Sequence, residues 1–312
     1  MESERMLEAV RAGGMLPPGS SAVAMLSGGR DSVCLLDLSA RLLGPDSVTA
    51  LHVNYGLRDD SDDDEAHCLA LCERVGVALE VERPRRPEGP GNLQAWARDT
   101  RYAAAARLAD SDECLIATGH TADDQVETIL YRLASSPSRR ALLGMRPRDG
   151  KLVRPLLGFT REQTTAYCEQ RELEWRDDPS NAEPSYARNR VRHGLAAALA
   201  EVHPAAAQNV LRTAALLRDE AEILDALVAA ELDGSNGSDR GTIELDRLAE
   251  LPPALRRLVV QQLADRAAGR PVAGAANRAD EVAGLRRTGT AMLDLGGGVR
   301  AIAERGILRA ER

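Results

Sequence analysis

The stretch that decides the fold is a glycine turn between an apolar run and a helical pattern, Ser27-Gly28-Gly29-Arg30-Asp31-Ser32. The run before it, 22–26, has strand length, and the pattern after it, 33–38, continues as a helix. Such a junction directs backbone N–H groups and the positive end of a helix dipole at one point. Gly28 and Gly29 allow unusual backbone torsions and the close approach of an anion. The junction therefore predicts a phosphate-binding turn.

The side chains of this turn have different expected roles. Ser27 and Ser32 add hydroxyl donors for phosphate oxygens. Asp31 would repel a phosphate, so it is either the N-cap of the helix or a ligand for Mg²⁺ bound to the phosphates. The spacing differs from the Walker loop, which needs a Lys, and from the dinucleotide fingerprint, which needs a third glycine. A plain capped strand–helix turn is the alternative explanation.

Strand and helix patterns alternate through the first two-thirds of the chain. Apolar runs of strand length lie at 22–27, 48–54, 78–83, 114–119 and 152–157, and helical patterns lie at 31–43, 62–76, 92–109, 122–134 and 160–173. Runs without polar alternation are typical of parallel strands that are covered on both faces. We expect an α/β fold with a five-stranded, doubly wound parallel sheet that binds its ligands at the carboxyl ends of the strands.

After this region the pattern becomes helical. Ala-rich stretches occupy 186–200 and 205–232, a turn-rich linker lies near 234–241, and a hairpin is predicted at 290–310. We expect a first domain at 1–195, which holds the ligand edge of the sheet, and a smaller, mainly helical domain at 196–312. The amphipathic stretch 205–232 is compatible with a homodimer, although such a face more often packs between domains.

Composition bounds the class of protein. The chain has 312 residues, 44% of them hydrophobic and 28% charged, which describes a globular protein with room for two domains. No apolar stretch approaches the ~20 residues of a membrane span, and the N-terminus lacks the apolar centre of a signal peptide. Five cysteines without a disulfide framework fit a reducing compartment. We therefore expect a cytoplasmic protein.

A second informative segment, 119–128, follows the fourth predicted strand and reads Gly-His-Thr-Ala-Asp-Asp-Gln-Val-Glu-Thr. Acids in a first helical turn favour the helix dipole by only ~0.3–1 kcal/mol each, so a well-capped helix is one explanation. Asp124 and Glu127 share a helix face that begins at the ligand edge of the sheet. Two carboxylates beside bound phosphates require a cation between them, either Mg²⁺ or the ammonium group of a substrate. Because His120 lies at the same edge, we favour a functional cluster.

Arginine supplies nearly all of the positive charge, since Lys151 is the only lysine in a chain of net charge −8. An acidic protein can still bind RNA through one basic face, because salt confines the potential to ~8–10 Å. Arg188, Arg190 and Arg192 alternate through the start of a helical segment. Solvated charges or ion pairs are one explanation. The other, which we favour, is contact with an RNA backbone.

Seven segments of the sequence occur in the order of one protein family. They are 27–32, 52–58, 97–102, 119–128, 154–157, 175–181 and 186–192. Together they resemble the tRNA(Ile)-lysidine synthetases of the PP-loop (ATP pyrophosphatase) superfamily, and they cover about residues 20–195. Residues 200–312 resemble the family only loosely, as the helical domain of its shorter form. The resemblance implies that 1–195 is the catalytic, ATP-binding domain and that 196–312 binds tRNA.

The resemblance implies a two-step reaction. The family uses ATP to adenylate the C2 carbonyl oxygen of the wobble cytidine in the CAU anticodon of tRNA(Ile). The ε-amino group of L-lysine then displaces AMP and forms lysidine. The implied cofactors are ATP and Mg²⁺, and the implied partners are this tRNA and L-lysine.

The resemblance also implies roles for individual residues. Residues 27–32 would bind ATP together with His52, which on its own looks structural. Asp31 would hold Mg²⁺, and Asp124 and Glu127 would hold the lysine ammonium groups. Arg101 and His120 would serve the adenylated intermediate, so the implied catalytic set is Asp31, Arg101, His120, Asp124 and Glu127.

The chain also departs from the family pattern. Tyr55 and Thr121 stand where the family usually has His, and 133–144 lacks the usual glycines of a loop. A tRNA thiolase of the same superfamily is one alternative, although no Cys-x-x-Cys pair is present. An amide-forming synthetase is a second, and a nucleotide-binding module without turnover is a third.

Overall fold

A largely parallel sheet forms the centre of the first part of the chain. The computed structural model describes residues 2–58, 60–87, 91–135, 139–176, 187–233 and 241–312. The strands of this part are β1 (Ser21–Met25), β2 (Val48–Val53), β3 (Ala78–Glu82), β4 (Cys114–Ala117), β5 (Arg148–Asp149) and β6 (Leu152–Val153). Among the described residues they form one six-stranded sheet in the order β3-β2-β1-β4-β6-β5, in which β5 runs antiparallel to β6.

Five of these strands are parallel, which confirms the predicted sheet. The sixth, β5, is an edge strand that the sequence analysis did not predict. β1 lies between β2 and β4, with Ala24 opposite Ala50 on one side and Ala117 on the other. The glycine turn that follows β1 is therefore central along the carboxyl edge of the sheet.

Helices cover both faces of the sheet. They are α1 (Glu2–Ala12), α2 (Arg30–Leu43), α3 (Ser61–Val75), α4 (Leu93–Leu108), α5 (Ala122–Ser135), α6 (Arg139–Leu142) and α7 (Arg161–Gln170). Alternate residues of β1 point to opposite faces. Ala22 and Ala24 pack into the larger core with α1, α2, α3 and α7, whereas Val23 and Met25 pack into a smaller core with α4. The sheet is thus doubly wound, as predicted.

A run of helical segments follows the sheet. It comprises α8 (Ala187–Arg190), a π-helical turn (Val191–Ala196), α9 (Ala197–Val202) and α10 (Ala206–Asp233). Packing divides the chain into two units, Met1–Ala215 and Leu216–Arg312, with the border inside α10. The functional division at 195 stays a prediction. No described helix is both long and apolar enough to cross a membrane.

The second unit combines short helices with a small antiparallel sheet. Its further elements are β7 (Ile243–Glu244), α11 (Leu245–Glu250), α12 (Pro253–Ala268), α13 (Ala279–Ala283), β8 (Thr290–Gly296), β9 (Val299–Glu304) and β10 (Ile307–Glu311). In the described part of this unit the strand order is β7-β10-β9-β8. The predicted hairpin at 290–310 is confirmed by the pairing of β8 with β9. Val299, Ala301 and Ala303 point inward from β9 into this unit's own core.

Some of the sequence expectations fall outside the described residues. These are the Asp178-Pro179-Ser180-Asn181 segment, Tyr186, most of the linker at 234–241 and the side chain of Arg188. Part of the altered loop at 133–144 also lies there.

Candidate active site

The glycine turn has the geometry of an anion-binding junction. Gly28 has a φ of 81°, a backbone conformation that favours glycine, and Gly29 is the N-cap of α2 without any side-chain cap. The first alternative for Asp31 is therefore wrong, because Asp31 lies inside the first turn of the helix rather than at its N-cap. With no capping side chain in place, the first N–H groups of α2 can bind an external anion.

Two serines close this turn. The Ser32 hydroxyl donates to the Gly29 carbonyl oxygen at 2.7 Å and accepts from the Ser27 N–H at 3.1 Å. The two hydroxyl oxygens lie 3.1 Å apart. Both serines therefore shape the turn, and a phosphate would bind to hydroxyls that are already held in place.

Gly119 brings the segment after β4 directly against the glycine turn. A Cβ atom at Gly119 would lie 2.9 Å from the Asp31 carbonyl oxygen and 3.0 Å from its carbonyl carbon. Real Cβ contacts are not this short, so only glycine fits here. The convergence that the parallel topology predicts is thus a backbone-to-backbone contact.

A cavity of about 760 Å³ opens at this meeting point, which is the size of a small-molecule site. It is lined by Ser27, Gly29, Arg30, Asp31, Ser32, Arg101, His120 and Asp124, all of them predicted site residues. Arg192 also lines it, together with Tyr55, Tyr102 and Arg161. The lining does not include four other described residues that were predicted for the site: Gly28, His52, Glu127 and Arg190.

His52 supports the turn from behind. Its ring is buried, and its Nδ1 lies 3.0 Å from the Leu26 carbonyl oxygen and 3.4 Å from the Cys68 sulfur. Its Nε2 has no hydrogen-bond partner among the described residues. This geometry fits the structural reading of His52 better than direct contact with ATP.

Asp124 and Glu127 form a compact cluster with two arginines, Arg161 and Arg192. An Arg161 Nη lies 2.8 Å from an Asp124 oxygen and 3.1 Å from a Glu127 oxygen. The Arg192 Nε lies 2.6 Å from the same Glu127 oxygen. Both carboxylates are buried. The cation that the paired acids require is supplied, in this structure, by guanidinium groups of the chain itself.

Arg161 was missed by the sequence analysis. Thr160 and Gln163 form a capping box that starts α7 and fixes the direction of this helix toward the cavity. Burial opposes the charge of Arg161, but Asp124 and Glu127 outweigh it and raise the pKa of this side chain. The capping signal was readable in the sequence, but the partners lie 34 and 37 residues away.

Asp31 lies in the cavity wall beside the glycine turn and is held by protein partners. Its Oδ1 accepts from the Thr164 hydroxyl at 2.6 Å and from the Arg30 Nε at 3.2 Å. No cluster of three metal-ligating residues occurs among the described residues. Mg²⁺ commonly binds through one or two carboxylates plus substrate phosphates, so a single carboxylate in the cavity wall fits that ion.

His120, in the segment after β4, and Arg101, on α4, both line the cavity. The His120 Nδ1 lies 2.9 Å from the Thr118 hydroxyl, which orients the ring. The Arg101 Nε is buried without an acceptor among the described residues. Tyr55, which stands where the family usually has His, donates to the Ala97 carbonyl oxygen at 2.7 Å, and burial raises its pKa against the opposing effect of Arg101.

Cysteine chemistry is not available in this cavity. All five cysteines are buried, and none of them lines the cavity among the described residues. Burial raises the pKa of Cys68 to about 12 and that of Cys72 to about 11. These thiols are therefore protonated and inert at neutral pH.

Known proteins share both the fold and the sequence pattern. Residues 4–199 match the model of the PP-loop domain. The chain is 37% identical over 247 residues to a tRNA(Ile)-lysidine synthase from Pseudomonas aeruginosa, covering 74% of this chain and 55% of that protein. It is 36% identical over 256 residues to a tRNA(Ile)-lysidine synthase from Leifsonia xyli subsp. xyli, covering 79% of this chain and 76% of that protein.

A solved structure, the U34-tRNA thiolase NcsA from Methanococcus maripaludis with its [4Fe-4S] cluster, shares the fold. The TM-score is 0.57 at 19% identity, and the match covers 69% of this chain and 78% of that chain. The chain belongs to the PP-loop family and, within it, to the tRNA(Ile)-lysidine synthase family. It spans 55% of the Pseudomonas aeruginosa relative and 76% of the Leifsonia xyli relative.

Proposed function

We propose that the protein makes lysidine in a tRNA(Ile) with a CAU anticodon, using ATP and L-lysine. One observation carries this proposal: Asp124 lines the same cavity as the glycine turn, and Glu127 lies behind it on the same Arg161 guanidinium, next to the Gly119 contact. A phosphate site that adjoins a site for ammonium groups suits an adenylation followed by attack of an amine. Family membership supports the same reaction.

In the first step the cytidine C2 oxygen attacks the α-phosphorus of ATP. The bond from that phosphorus to its bridging oxygen breaks, and pyrophosphate leaves. The first N–H groups of α2 and the hydroxyls of Ser27 and Ser32 would bind the phosphates and offset their charge. Asp31 would hold Mg²⁺, which supplies further charge neutralisation when it is bound. Holding both reactants in line lowers the barrier by several kcal/mol.

In the second step the lysine ε-nitrogen, after losing a proton, attacks C2 of the base. The C2–O bond breaks, and AMP leaves with that oxygen. Asp124 and Glu127 would bind the lysine ammonium groups. Arg161 and Arg192 contact these acids in the structure, so a bound lysine would replace or share one guanidinium. Arg192 is the proposed group to move, because it binds Glu127 from the short π-helical turn, whereas Arg161 binds both acids from α7.

The proposed roles of Asp124 and Glu127 predict that ornithine is rejected. One missing methylene loses only ~1–3 kcal/mol of packing. Two fixed carboxylates add a distance requirement, since a shorter chain cannot reach them while its nucleophilic nitrogen reaches C2. The proposed specificity therefore depends on the acid pair.

The experiment is incorporation of labelled lysine into tRNA. Wild-type protein should transfer label to tRNA(Ile) with a CAU anticodon only when ATP is present, and a tRNA with another anticodon serves as the control. Label in neither tRNA, with ATP still consumed, would favour an amide-forming synthetase. Sulfur incorporation would favour a thiolase, and no ATP turnover would favour a nucleotide-binding module.

A further inference from the structure

A group of arginines beside the cavity lacks carboxylate partners. Arg98 lies on α4, Arg132 on α5 and Arg154 directly after β6. No ion pair joins any of the three to a carboxylate within the described residues. By contrast, Arg107, which lies on α4 like Arg98, forms an ion pair with Glu82 at 2.6 Å. We call Arg98, Arg132 and Arg154 the arginine cluster.

The cluster is built into the protein rather than scattered on its surface. Arg154 is 6% exposed, one of its Nη atoms donates to the Arg146 carbonyl oxygen at 2.5 Å, and its Nε has no acceptor among the described residues. An Nη of Arg132 donates to the Gly144 carbonyl oxygen at 2.7 Å. Two of the three guanidinium groups are thus anchored by the 144–146 loop.

The three positive charges act on one another. Burial lowers the pKa of Arg154, and Arg98 and Arg132 lower it further against the attraction of Tyr102 and Asp149. Burial also lowers the pKa of Arg132, with Arg98 adding to the effect. Like charges and an unpaired buried N–H both destabilise the unliganded protein. A bound anion would relieve both.

Tyr102 connects the cluster to the cavity. The guanidinium carbon of Arg98 lies 4.7 Å from the centre of the Tyr102 ring, and that of Arg101 lies 5.8 Å from the same centre. Tyr102 and Arg101 both line the cavity, whereas the cluster does not. The arginine cluster therefore lies next to the cavity without lining it.

We propose that the arginine cluster binds a backbone phosphate of the RNA whose base enters the cavity. This inference rests on the proposed function for the identity of the RNA. Guanidinium groups match phosphate oxygens in geometry and charge. The triphosphate of ATP has its own place at the start of α2, whereas Arg132 lies in the last turn of α5, about 15 Å along that helix from its start. An RNA chain extends to such a neighbouring position.

The test is RNA binding by Arg98→Gln, measured by fluorescence anisotropy with the anticodon stem-loop over a range of NaCl concentrations. Arg98 is exposed, so the variant should melt at the temperature of the wild type. We expect several-fold weaker binding and a slope of log affinity against log salt that is lower by about 0.7. Arg132→Gln should repeat the result. Arg107→Gln, on the same helix but with a carboxylate partner, is the matched control and should bind RNA as the wild type does.

Two outcomes would overturn the inference. In the first, Arg98→Gln and Arg132→Gln keep the wild-type affinity and slope. In the second, they lose ATP affinity while RNA binding is unchanged, which would assign the cluster to the nucleotide's phosphates. Lysine incorporation is measured separately, so a wild type that binds RNA through Arg98 without making lysidine would contradict the proposed function alone.

Discussion

Gly119 is the single residue that lets the segment carrying Asp124 and Glu127 pack directly against the glycine turn. We predict that Gly119→Ala loses ATP binding and ~1–3 kcal/mol of stability, because its Cβ would meet the backbone of Asp31 at 2.9 Å. Thermal melting and nucleotide titration measure both effects. Gly158→Ala is the control, since nothing lies within 4 Å of a Cβ at that position. Equal behaviour of the two variants would remove Gly119 from the account.

Asp124 is the residue that we expect to separate the two steps. Asn at this position can still accept from the Thr121 N–H, as Asp124 does at 2.8 Å, so the fold of the turn should persist. Loss of the charge should raise the KM for lysine roughly 10- to 100-fold, since hydrogen bonds to charged groups contribute about 1.5–3 kcal/mol. ATP–pyrophosphate exchange should change little. Loss of exchange with lysine use intact would show that the roles are reversed.

The π-helical turn carries the clearest prediction at the scale of an element. The sequence pattern favours RNA contact for Arg188, Arg190 and Arg192, but Arg192 lies in the cavity wall with its Nε 2.6 Å from Glu127. Arg192→Gln removes a cation that competes with lysine. We expect the KM for lysine to fall several-fold, because a buried carboxylate that loses one of its two cations gains more from binding an ammonium group.

Measuring tRNA binding by the variants of this turn separates contact with RNA from contact with Glu127. Arg192→Gln should keep the wild-type salt dependence of tRNA binding, whereas Arg190→Gln, at an exposed position, should flatten it. If Arg192→Gln flattened the salt dependence and left the KM for lysine unchanged, Arg192 would be an RNA contact and the prediction would be wrong.

Elements also show what the sequence could and could not predict. The uninterrupted apolar runs identified the five parallel strands, and the glycine turn identified the edge at which they act. The predicted strand at 152–157 ends at Val153, because Leu156 and Leu157 are buried in a turn, and an apolar run does not distinguish the two. Arg161 escaped prediction because its role depends on acids from another helix, which only the tertiary structure brings near.

The same limit applies to the arginine cluster. Arg98 and Arg154 lie in segments that resemble the family, but nothing in their spacing indicates that they share one site with Arg132. His52 is the converse case, since the resemblance placed it at the ATP site and the structure buries it behind the turn. Both cases depend on tertiary contacts that the sequence pattern does not display.

At the scale of the whole molecule, the burial of every cysteine predicts how the protein reacts with a thiol reagent. Because burial raises the pKa of Cys68 to about 12, the reactive thiolate form is scarce below that pH and grows only as the pH rises toward it. We expect the native protein to react with less than one equivalent of Ellman's reagent at pH 8, and with five after unfolding. A rapidly labelled thiol in the native protein would favour the thiolase alternative.

A homodimer through α10 stays a prediction.

The most direct measurement is a crystal structure of the protein with a non-hydrolysable ATP analogue, Mg²⁺ and L-lysine. The account predicts that the phosphates lie against the first N–H groups of α2. It also predicts an ammonium nitrogen within about 3 Å of Asp124 and Glu127, with Arg192 displaced. Nucleotide bound away from residues 27–32, or lysine bound outside the cavity while Arg161 and Arg192 still cover the acids, would contradict it.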